Sequence, residues 1–218
     1  MKIPNNFSIK KAHLTQTRLA QHIIQIDKLP QKICTVGGID VSYIGNMAVA
    51  AATVVDYESL ELLEAQIAIC EVKMPYIPTL LSFRELPPAL AAIRKLRFCP
   101  DAFLVDAQGL AHPYRFGFAC HLGLALGKPT IGVAKSRLIG KPVEREGITV
   151  LMDKGEVIGA VVTTREGVKP VYVSIGHMVS LQTAVEIVRN LSRGRISEPL
   201  RLAHDFATKE RKVIVGQK

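Results

Sequence analysis

The segment ICTVGGIDVSYIGNMAVAAATVVDYESLELLEAQIAICEV, residues 33–72, sets the architecture of this 218-residue chain. It contains three apolar, strand-like runs, at residues 33–44, 47–57 and 60–72. Only Gly45 and Asn46 separate the first run from the second, and only Glu58 and Ser59 separate the second from the third. Such short turns are typical of hairpins. The segment therefore predicts a meander of three antiparallel strands.

Helical and strand-like patterns alternate after this meander. The spacing of apolar residues predicts helices at about 87–96, 113–127, 181–191 and from 199 onward, and one before the meander at 14–26. Short apolar runs predict further strands at 102–106, 130–135, 148–153, 157–164 and 171–176. Elements in this order form a mixed sheet flanked by helices. The expected class is α/β, and the order is the one found in the ribonuclease H-like architecture.

The composition is that of an ordinary globular protein, with 48% hydrophobic and 22% charged residues. It excludes an intrinsically disordered chain. We expect residues 1–218 to form a single domain, because the sequence has no internal repeat, linker or shift in composition. The chain has neither a long uncharged apolar run nor an apolar stretch near its start. A cytoplasmic protein without a membrane span is therefore expected.

The chain carries 28 Lys and Arg against 19 Asp and Glu, which gives a formal net charge of +9. This surplus favours a polyanionic partner, and the alternative is a basic surface that binds nothing. The four cysteines, Cys34, Cys70, Cys99 and Cys120, are widely spaced and form no C-x-x-C pair. We therefore expect no zinc site, and we interpret the cysteines as small core residues of a protein that needs no disulfide.

Two acidic residues lie at unusual places in the predicted sheet. Asp40 interrupts an apolar strand, and Asp106 ends the buried run 103–105. A carboxylate inside a sheet costs free energy unless it is paired or binds a cation, and open α/β sheets place ligands at the carboxyl ends of parallel strands. If the two strands are neighbours, both carboxylates could share a Mg²⁺ ion. The alternatives are a turn-forming role for Asp106 and an ion pair with a buried basic residue for Asp40.

Three further residues allow either a structural or a chemical interpretation. Glu85 lies just before two prolines, so it is expected near a helix start or at a kink, and an acid at a helix start often only complements the helix dipole. His204 shares a helix face with apolar residues, so a packed core histidine is the ordinary explanation. For His112 the ordinary role is capping of a helix start. The sequence has no P-loop, G-x-S-x-G or G-x-G-x-x-G motif, which weakens NTPase, serine hydrolase and dinucleotide-binding functions.

Six segments together are more specific than any single residue. They are GGIDVSY (37–43), MPYIPTLLSFRE (74–85), LVDAQGLAHPYRFGFACHLG (104–123), TIGVAKSRLIG (130–140), VSIGHMVSLQTA (173–184) and PLRLAHDFA (199–207). In this order they resemble the endonuclease V family, which comprises repair nucleases for deaminated bases with a ribonuclease H-like fold. The resemblance runs from about Val36 to Ala207.

The resemblance implies a Mg²⁺-dependent endonuclease, with Mn²⁺ as a substitute ion, that recognises hypoxanthine in DNA or alternatively in RNA. It would cut the second phosphodiester bond 3′ to the lesion and leave 3′-hydroxyl and 5′-phosphate ends. We expect the protein to be a monomer. Asp40, Glu85 and Asp106 would be the metal-binding acids. His204 would join them as a ligand, and Lys135 would stand near the scissile phosphate, which completes the implied catalytic set.

The resemblance also implies a site for an extruded base. Tyr76 matches the family's wedge residue, which fills the space that the base leaves behind. The other implied substrate-binding residues are Leu81, Gly109, His112, Gly132 and Leu138. An aromatic wedge suits this chemistry, because extrusion of a base costs unstacking energy that the inserted ring partly restores.

Two positions depart from the family pattern. The family usually has DGxG where this chain has Ala107 in the second position, and it usually has glycine where this chain has Thr79. Each departure adds a side chain where the base should lie close to the backbone, so each bears on hypoxanthine specificity. Two rival functions stay open: a ribonuclease H-like nuclease that recognises a DNA structure, and a non-catalytic nucleic-acid binder.

Overall fold

The structure is a computed structural model that describes residues 4, 7–145 and 147–216. Its strands are β1 (Thr35–Ile44), β2 (Met47–Asp56), β3 (Leu62–Glu71), β4 (Ala102–Val105), β5 (Thr130–Ala134), β6 (Lys141–Arg145), β7 (Ile148–Asp153), β8 (Glu156–Val162) and β9 (Val171–His177). Its helices are α1 (Ile9–Ala20), α2 (Leu81–Ile93), α3 (Phe118–Leu126), α4 (Leu181–Asn190) and α5 (Glu198–Gly216).

All of these strands form one mixed sheet of nine strands, in the order β3-β2-β1-β4-β5-β9-β8-β7-β6. The predicted meander is confirmed, because β1 pairs antiparallel with β2 and β2 with β3. β4 and β5 extend the sheet from β1 as parallel strands, and the remaining neighbours are antiparallel. The predicted mixed sheet flanked by helices is therefore confirmed. That residues 1–218 form a single domain stays a prediction.

Helices cover both faces of this sheet. Because side chains alternate across a strand, Ala50 and Ala52 of β2 pack with α2 and α3, whereas Ala51 packs against Ala203 and Ala207 of α5. Asp40 lies opposite Ala51 in the β1–β2 register. The carboxylate of Asp40 therefore lies on the face that α5 covers.

The boundaries of three helices differ from the predicted ones. α1 ends at Ala20 and not at residue 26. α2 begins at Leu81 and contains Pro87 and Pro88 in its interior, although proline is unfavourable there. Packing of the apolar α2 face on the sheet overrides that preference, so Glu85 lies in the second turn and not at the helix start. α3 begins five residues after the predicted Pro113, because turns occupy the intervening residues.

Two predictions from local sequence were incomplete or wrong. The sequence does not predict β6, whose five residues are all exposed, because an edge strand in solvent has no apolar pattern. The interpretation of all four cysteines as core residues was wrong: Cys34 and Cys99 are exposed, and only Cys120 is fully buried. Along the described ranges, no helix is long and apolar enough to cross a membrane.

Candidate functional site

Asp40 and Asp106 lie at adjacent positions of the neighbouring parallel strands β1 and β4: Asp106 directly follows the carboxyl end of β4, and Asp40 lies in the middle of the longer β1. β1 and β4 pair with Ile39 opposite Val105, and the next residue of each strand is an acid. The backbone N–H of Asp106 donates to the carbonyl oxygen of Ile39 at 3.2 Å, which continues the pairing one residue beyond β4. The two strands are therefore neighbours, as a Mg²⁺ ion shared by both carboxylates would require.

α5 brings His204 to this pair of acids. Its Nδ1 lies 3.0 Å from Oδ2 of Asp40. The side chain of His204 is 53% exposed and that of Asp40 is 11% exposed, so the interpretation of His204 as a buried core histidine is wrong. Burial and the neighbouring Asp106 carboxylate raise the pKa of Asp40, while His204 lowers it.

Glu85 approaches the same two acids from α2. Its side chain is buried and accepts a hydrogen bond from the Tyr43 hydroxyl at 3.0 Å. The Arg84 guanidinium lies 4.0 Å from the centre of the Tyr43 ring, a distance suited to a cation–π contact. Burial raises the pKa of Glu85 to about 8, with the Tyr43 hydrogen bond opposing the shift and the Asp40 and Asp106 carboxylates adding to it.

Lys135 lies just beyond the end of β5 and contacts the second acid. Its ammonium nitrogen is 2.5 Å from Oδ2 of Asp106. The backbone carbonyl of Lys135 is held by Arg195, whose Nη2 donates to it at 2.7 Å. The same guanidinium donates to the carbonyl oxygens of Lys169 at 3.1 Å and Pro170 at 3.2 Å. Arg195 thus ties the lysine backbone to the loop before β9.

The donor chemistry of this cluster suits a hard divalent cation. Mg²⁺ prefers carboxylate oxygens, and the raised pKa values of Asp40 and Glu85 reflect negative charges held together in a buried place, which a cation would stabilise. In the part of the chain that the structure describes, no three His, Cys, Asp or Glu side chains converge into a complete ligand set. Each acid instead has its own partner: His204, Tyr43 or Lys135.

A cavity of about 200 Å³ lies beside the charged cluster. Its wall comes from α1, from α2 and the loop before it, from the segment between β4 and the start of α3, and from the end of β5 with the loop after it. The residues that line it include Gln16, Tyr76, Thr79, Ser82, Ala107 and Gln108. Ala107 follows Asp106 directly, and Ser82 lies three residues before Glu85 on α2. The chain segments that carry Glu85 and Asp106 therefore also contribute to the cavity wall.

The predicted substrate-binding residues divide into two groups. Tyr76, Leu81, His112 and Leu138 line the cavity. Tyr76 is 62% exposed at the rim of the cavity. Burial lowers the pKa of His112 to about 4, so its ring is neutral near pH 7.

Gly109 and Gly132 lie behind the cavity wall. A Cβ atom on Gly132 would clash with the backbone nitrogen of Gly109, and one on Gly109 would clash with the carbonyl oxygen of Ile175. Their lack of side chains allows the loop after β4 to pack directly on β5 and β9. A substrate contact of either glycine stays a prediction.

Both departures from the family pattern lie in the cavity wall, and Thr79 has an unusual backbone. Its φ is +70°, a region that glycine adopts freely and β-branched residues avoid. Two contacts from α1 hold it there: the Gln16 amide donates to its carbonyl at 2.8 Å, and its hydroxyl lies 2.9 Å from Nε2 of His13. Ala107, the other departure, is 7% exposed.

Sequence reasoning missed Tyr43, Gln16 and Arg195. Tyr43 lies in a strand whose pattern explains a half-buried aromatic residue without any partner. Gln16 and Arg195 contact backbone carbonyls far away in the sequence, the Gln16 amide reaching Thr79 and Phe116. No spacing or motif in a single sequence indicates such contacts. Gln16 is fully buried although it lies on a largely polar helix, and the sequence does not show this burial.

Comparisons with known proteins place the chain in a definite group. The family model described as Endonuclease V matches residues 17–205. An Endonuclease V from Thermofilum pendens is 47% identical over 210 residues, which cover 95% of this chain and 90% of that protein.

Solved structures agree with these matches. The crystal structure of an Endonuclease V from Bacillus subtilis matches with a TM-score of 0.90 at 30% identity and covers 100% of both chains. That of Ciona intestinalis Endonuclease V, in complex with a 24mer DNA containing an inosine followed by a ribo-adenosine, matches with a TM-score of 0.85 at 32% identity. It covers 94% of this chain and 98% of that one.

Proposed function

Because this chain belongs to the endonuclease V family of metal-dependent nucleases, we propose that it cuts nucleic acid strands that contain a deaminated base, with hypoxanthine as the main lesion. The proposed reaction is hydrolysis of the second phosphodiester bond on the 3′ side of the lesion. The oxygen of water bonds to phosphorus while the P–O3′ bond breaks, so the products carry a 5′-phosphate and a 3′-hydroxyl.

One observation carries this proposal: the segments that carry Glu85, Asp106 and Lys135 also line the cavity. Asp106 is followed by Ala107, Lys135 is flanked by Ala134 and Ser136, and all three flanking residues line the cavity. A base in the cavity would therefore hold the adjoining backbone of its strand near the acids. A nuclease that cuts close to a recognised base requires this arrangement.

The carboxylates of Asp40, Glu85 and Asp106, together with His204, would hold the metal ion. We propose Mg²⁺ as this ion and expect Mn²⁺ to substitute, because the donors are mainly oxygen atoms. When bound, the ion would supply charge neutralisation at the phosphate and a more acidic water molecule. The residues around the acids fix their orientation: the Tyr43 hydroxyl donates to Glu85, and His204 contacts Asp40.

Lys135 would bind the scissile phosphate. The Lys135 side chain is 42% exposed, and its ammonium group contacts Asp106. A phosphate bound at the acids would therefore have a cation beside it, next to Asp106. A fixed ammonium group stabilises the negative charge that develops on the phosphate oxygens in the transition state. Arg195 holds the lysine backbone from behind, which fixes the direction from which the side chain reaches.

Tyr76 would act as the wedge that fills the space left by the extruded base. Its exposure at the rim of the cavity supports this role. Leu81, His112 and Leu138 would contact the base, while the small Gly109 and Gly132 allow the wall to pack closely. The net charge of +9 supports binding of the phosphate backbone, so binding should weaken steeply as salt rises.

The test uses end-labelled strands with a single inosine, as DNA and as RNA, single-stranded and duplex, with Mg²⁺ or with EDTA. Unmodified and uracil-containing strands are the controls. We expect a Mg²⁺-dependent nick one nucleotide beyond the inosine, and the faster polymer identifies the substrate. Asp40→Ala and Asp106→Ala should abolish cleavage, while binding in Ca²⁺ survives.

Other outcomes separate the rival functions. Cleavage without preference for inosine, unaffected by Tyr76→Ala, would indicate a structure-specific nuclease. An inactive wild-type protein that still binds nucleic acid would indicate a non-catalytic binder. A fully active Asp106→Ala variant would falsify the proposed roles of the acids.

A further inference from the structure

The loop between β3 and α2, residues 72–80, carries Tyr76 and rests on α1. Met74 and Leu80 of this loop are buried, and both belong to one apolar cluster with Ala12 of α1. The partly buried Ile77 packs against the same cluster. Tyr76 itself is 62% exposed. The helix therefore supports the loop through residues that lie before and after the exposed ring in the sequence.

A single buried amide ties this loop to a second part of the cavity wall. Gln16 of α1 is 0% exposed. Its Nε2 donates to the carbonyl oxygen of Thr79, in the Tyr76 loop, at 2.8 Å. The same nitrogen donates at 3.1 Å to the carbonyl oxygen of Phe116, which lies between β4 and α3. A side-chain amide has two N–H groups, so each of the two chain segments takes one of them.

His13 makes a second link between the same two segments, one turn earlier on α1. Its Nε2 lies 2.9 Å from the hydroxyl oxygen of Thr79. Its ring stacks on that of Tyr114, which also lies between β4 and α3, with 4.3 Å between the ring centres and 18° between their planes. The positive φ of Thr79, +70°, is unfavourable for a β-branched residue. These contacts therefore hold the Tyr76 loop on a path that its own sequence does not favour.

We propose that α1 is the support that holds Tyr76 in position to enter a bound strand, and that Gln16 is the positioning residue; this rests on the wedge role proposed above. A ring that replaces an extruded base must lie at stacking distance from the neighbouring bases, in their plane. Thr79 follows Tyr76 by three residues, so a shift of its backbone moves the ring. Gln16 therefore acts on the strand through Tyr76 and not by contact.

The experiment compares kcat/KM for an inosine in duplex DNA with that for the same strand alone. Extrusion from a duplex breaks pairing and stacking, whereas a single strand has no pairing to break, so a displaced wedge should slow duplex cleavage more. Gln16→Met leaves the Thr79 and Phe116 carbonyls without their donor and should lower the duplex-to-single-strand ratio by about tenfold. His13→Phe keeps a ring against Tyr114 but loses the contact with Thr79. It should lower the ratio less.

Two variants serve as references for this ratio. Tyr76→Ala removes the ring and should lower the ratio at least as much as Gln16→Met. Adding Gln16→Met to Tyr76→Ala should lower it no further, because a residue that acts through the ring has no effect once the ring is gone. Gln21→Met, at an exposed glutamine just beyond the end of α1, is the matched control and should keep the wild-type ratio. A general loss of folding or of metal binding slows both substrates and leaves the ratio unchanged.

The outcomes distinguish this inference from the proposed function. An unchanged ratio in Gln16→Met, or in His13→Phe if Gln16→Met does not fold, overturns the inference alone. So does a further decrease when Gln16→Met is added to Tyr76→Ala. If Tyr76→Ala keeps the wild-type ratio, the wedge role fails and the inference fails with it. A wild-type protein that cuts no inosine strand refutes the proposed function as a whole.

Discussion

The backbone carbonyl oxygen of Pro199 occupies the position that a Cβ atom on Gly38 would need. The Thr53 hydroxyl donates to the same oxygen at 2.8 Å, so the first turn of α5 lies directly on β1 and β2. Gly38 precedes Asp40 by two residues on one face of β1, and Pro199 precedes His204 on α5. The depth at which α5 packs on this glycine therefore sets the contact between His204 and Asp40.

We expect Gly38→Ala to impair cleavage more than folding. The added methyl group meets backbone and not a flexible side chain, so α5 must move, and such overpacking costs about 1–3 kcal/mol. The displacement should also reduce cleavage of an inosine strand at least about tenfold. Thermal unfolding and single-turnover cleavage measure the two effects. Gly194→Ala, at a glycine with open space around it, is the matched control. Wild-type cleavage by Gly38→Ala would contradict the role of this contact.

The Thr79→Gly variant of the protein should be more stable than the Thr79→Ala variant. Both substitutions remove the hydroxyl that contacts His13, but only glycine relieves the positive φ of +70°. The left-handed conformation costs a non-glycine residue roughly 1–2 kcal/mol, so the Tm of Thr79→Gly should exceed that of Thr79→Ala by several degrees. Equal Tm values, measured by calorimetry, would show that the loop relaxes without strain.

The pair of acids could be predicted because its cause is local. A buried apolar run that ends in an acid identifies a strand and its carboxyl end at once, and Asp106 follows such a run. The pairing of β1 with β4 then follows from the meander and the next parallel strand. Helix boundaries were harder, because tertiary packing holds two prolines inside α2 and moves Glu85 into its second turn.

The contacts that hold the site together could not be predicted. Gln16 and Arg195 donate to backbone carbonyls that are distant in sequence, and every residue type offers the same carbonyl. Nothing in the sequence therefore distinguishes the acceptor. Thr79 was recognised as a departure from the family, yet its positive φ depends on the path of the loop and on α1. The order of apolar and polar residues in the sequence does not determine the path of this loop.

The stability of the folded protein should fall as pH drops from about 6.5 to about 4, partly because of His121. Burial lowers the pKa of His121 to about 4 from its ordinary value of 6.5. Between these values the unfolded chain binds a proton that the folded chain does not, so acid favours unfolding. This contribution is fully present above pH 6.5. His112 shifts in the same direction for the same reason.

His121→Phe should therefore stabilise the protein more at pH 5 than at pH 8. The ring already packs against Phe83 and Phe116, with centroid distances of 5.4 and 5.2 Å, and its buried Nδ1 has no partner among the described residues. Denaturant unfolding at both pH values measures the difference. His22→Phe, at an exposed histidine, is the control. A stability gain for His121→Phe that does not change with pH would exclude this linkage.

Arg195→Met should lower kcat and leave KM nearly unchanged. The guanidinium donates to the carbonyl of Lys135 at 2.7 Å and to two carbonyls before β9, so its loss frees the segment that carries the ammonium group. A misplaced ammonium group stabilises the transition state less, and we expect a decrease of about tenfold to a hundredfold in kcat.

Arg193→Met is the matched control, because Arg193 donates to the carbonyl of Ser59 at 2.9 Å, away from Lys135. Arg195→Lys should restore only part of the lost kcat. The planar guanidinium donates to three carbonyl oxygens at once, and a single ammonium group cannot reproduce that geometry. If Arg195→Met and Arg193→Met reduce kcat equally, Arg195 contributes only to general surface charge, and the position of Lys135 does not depend on it.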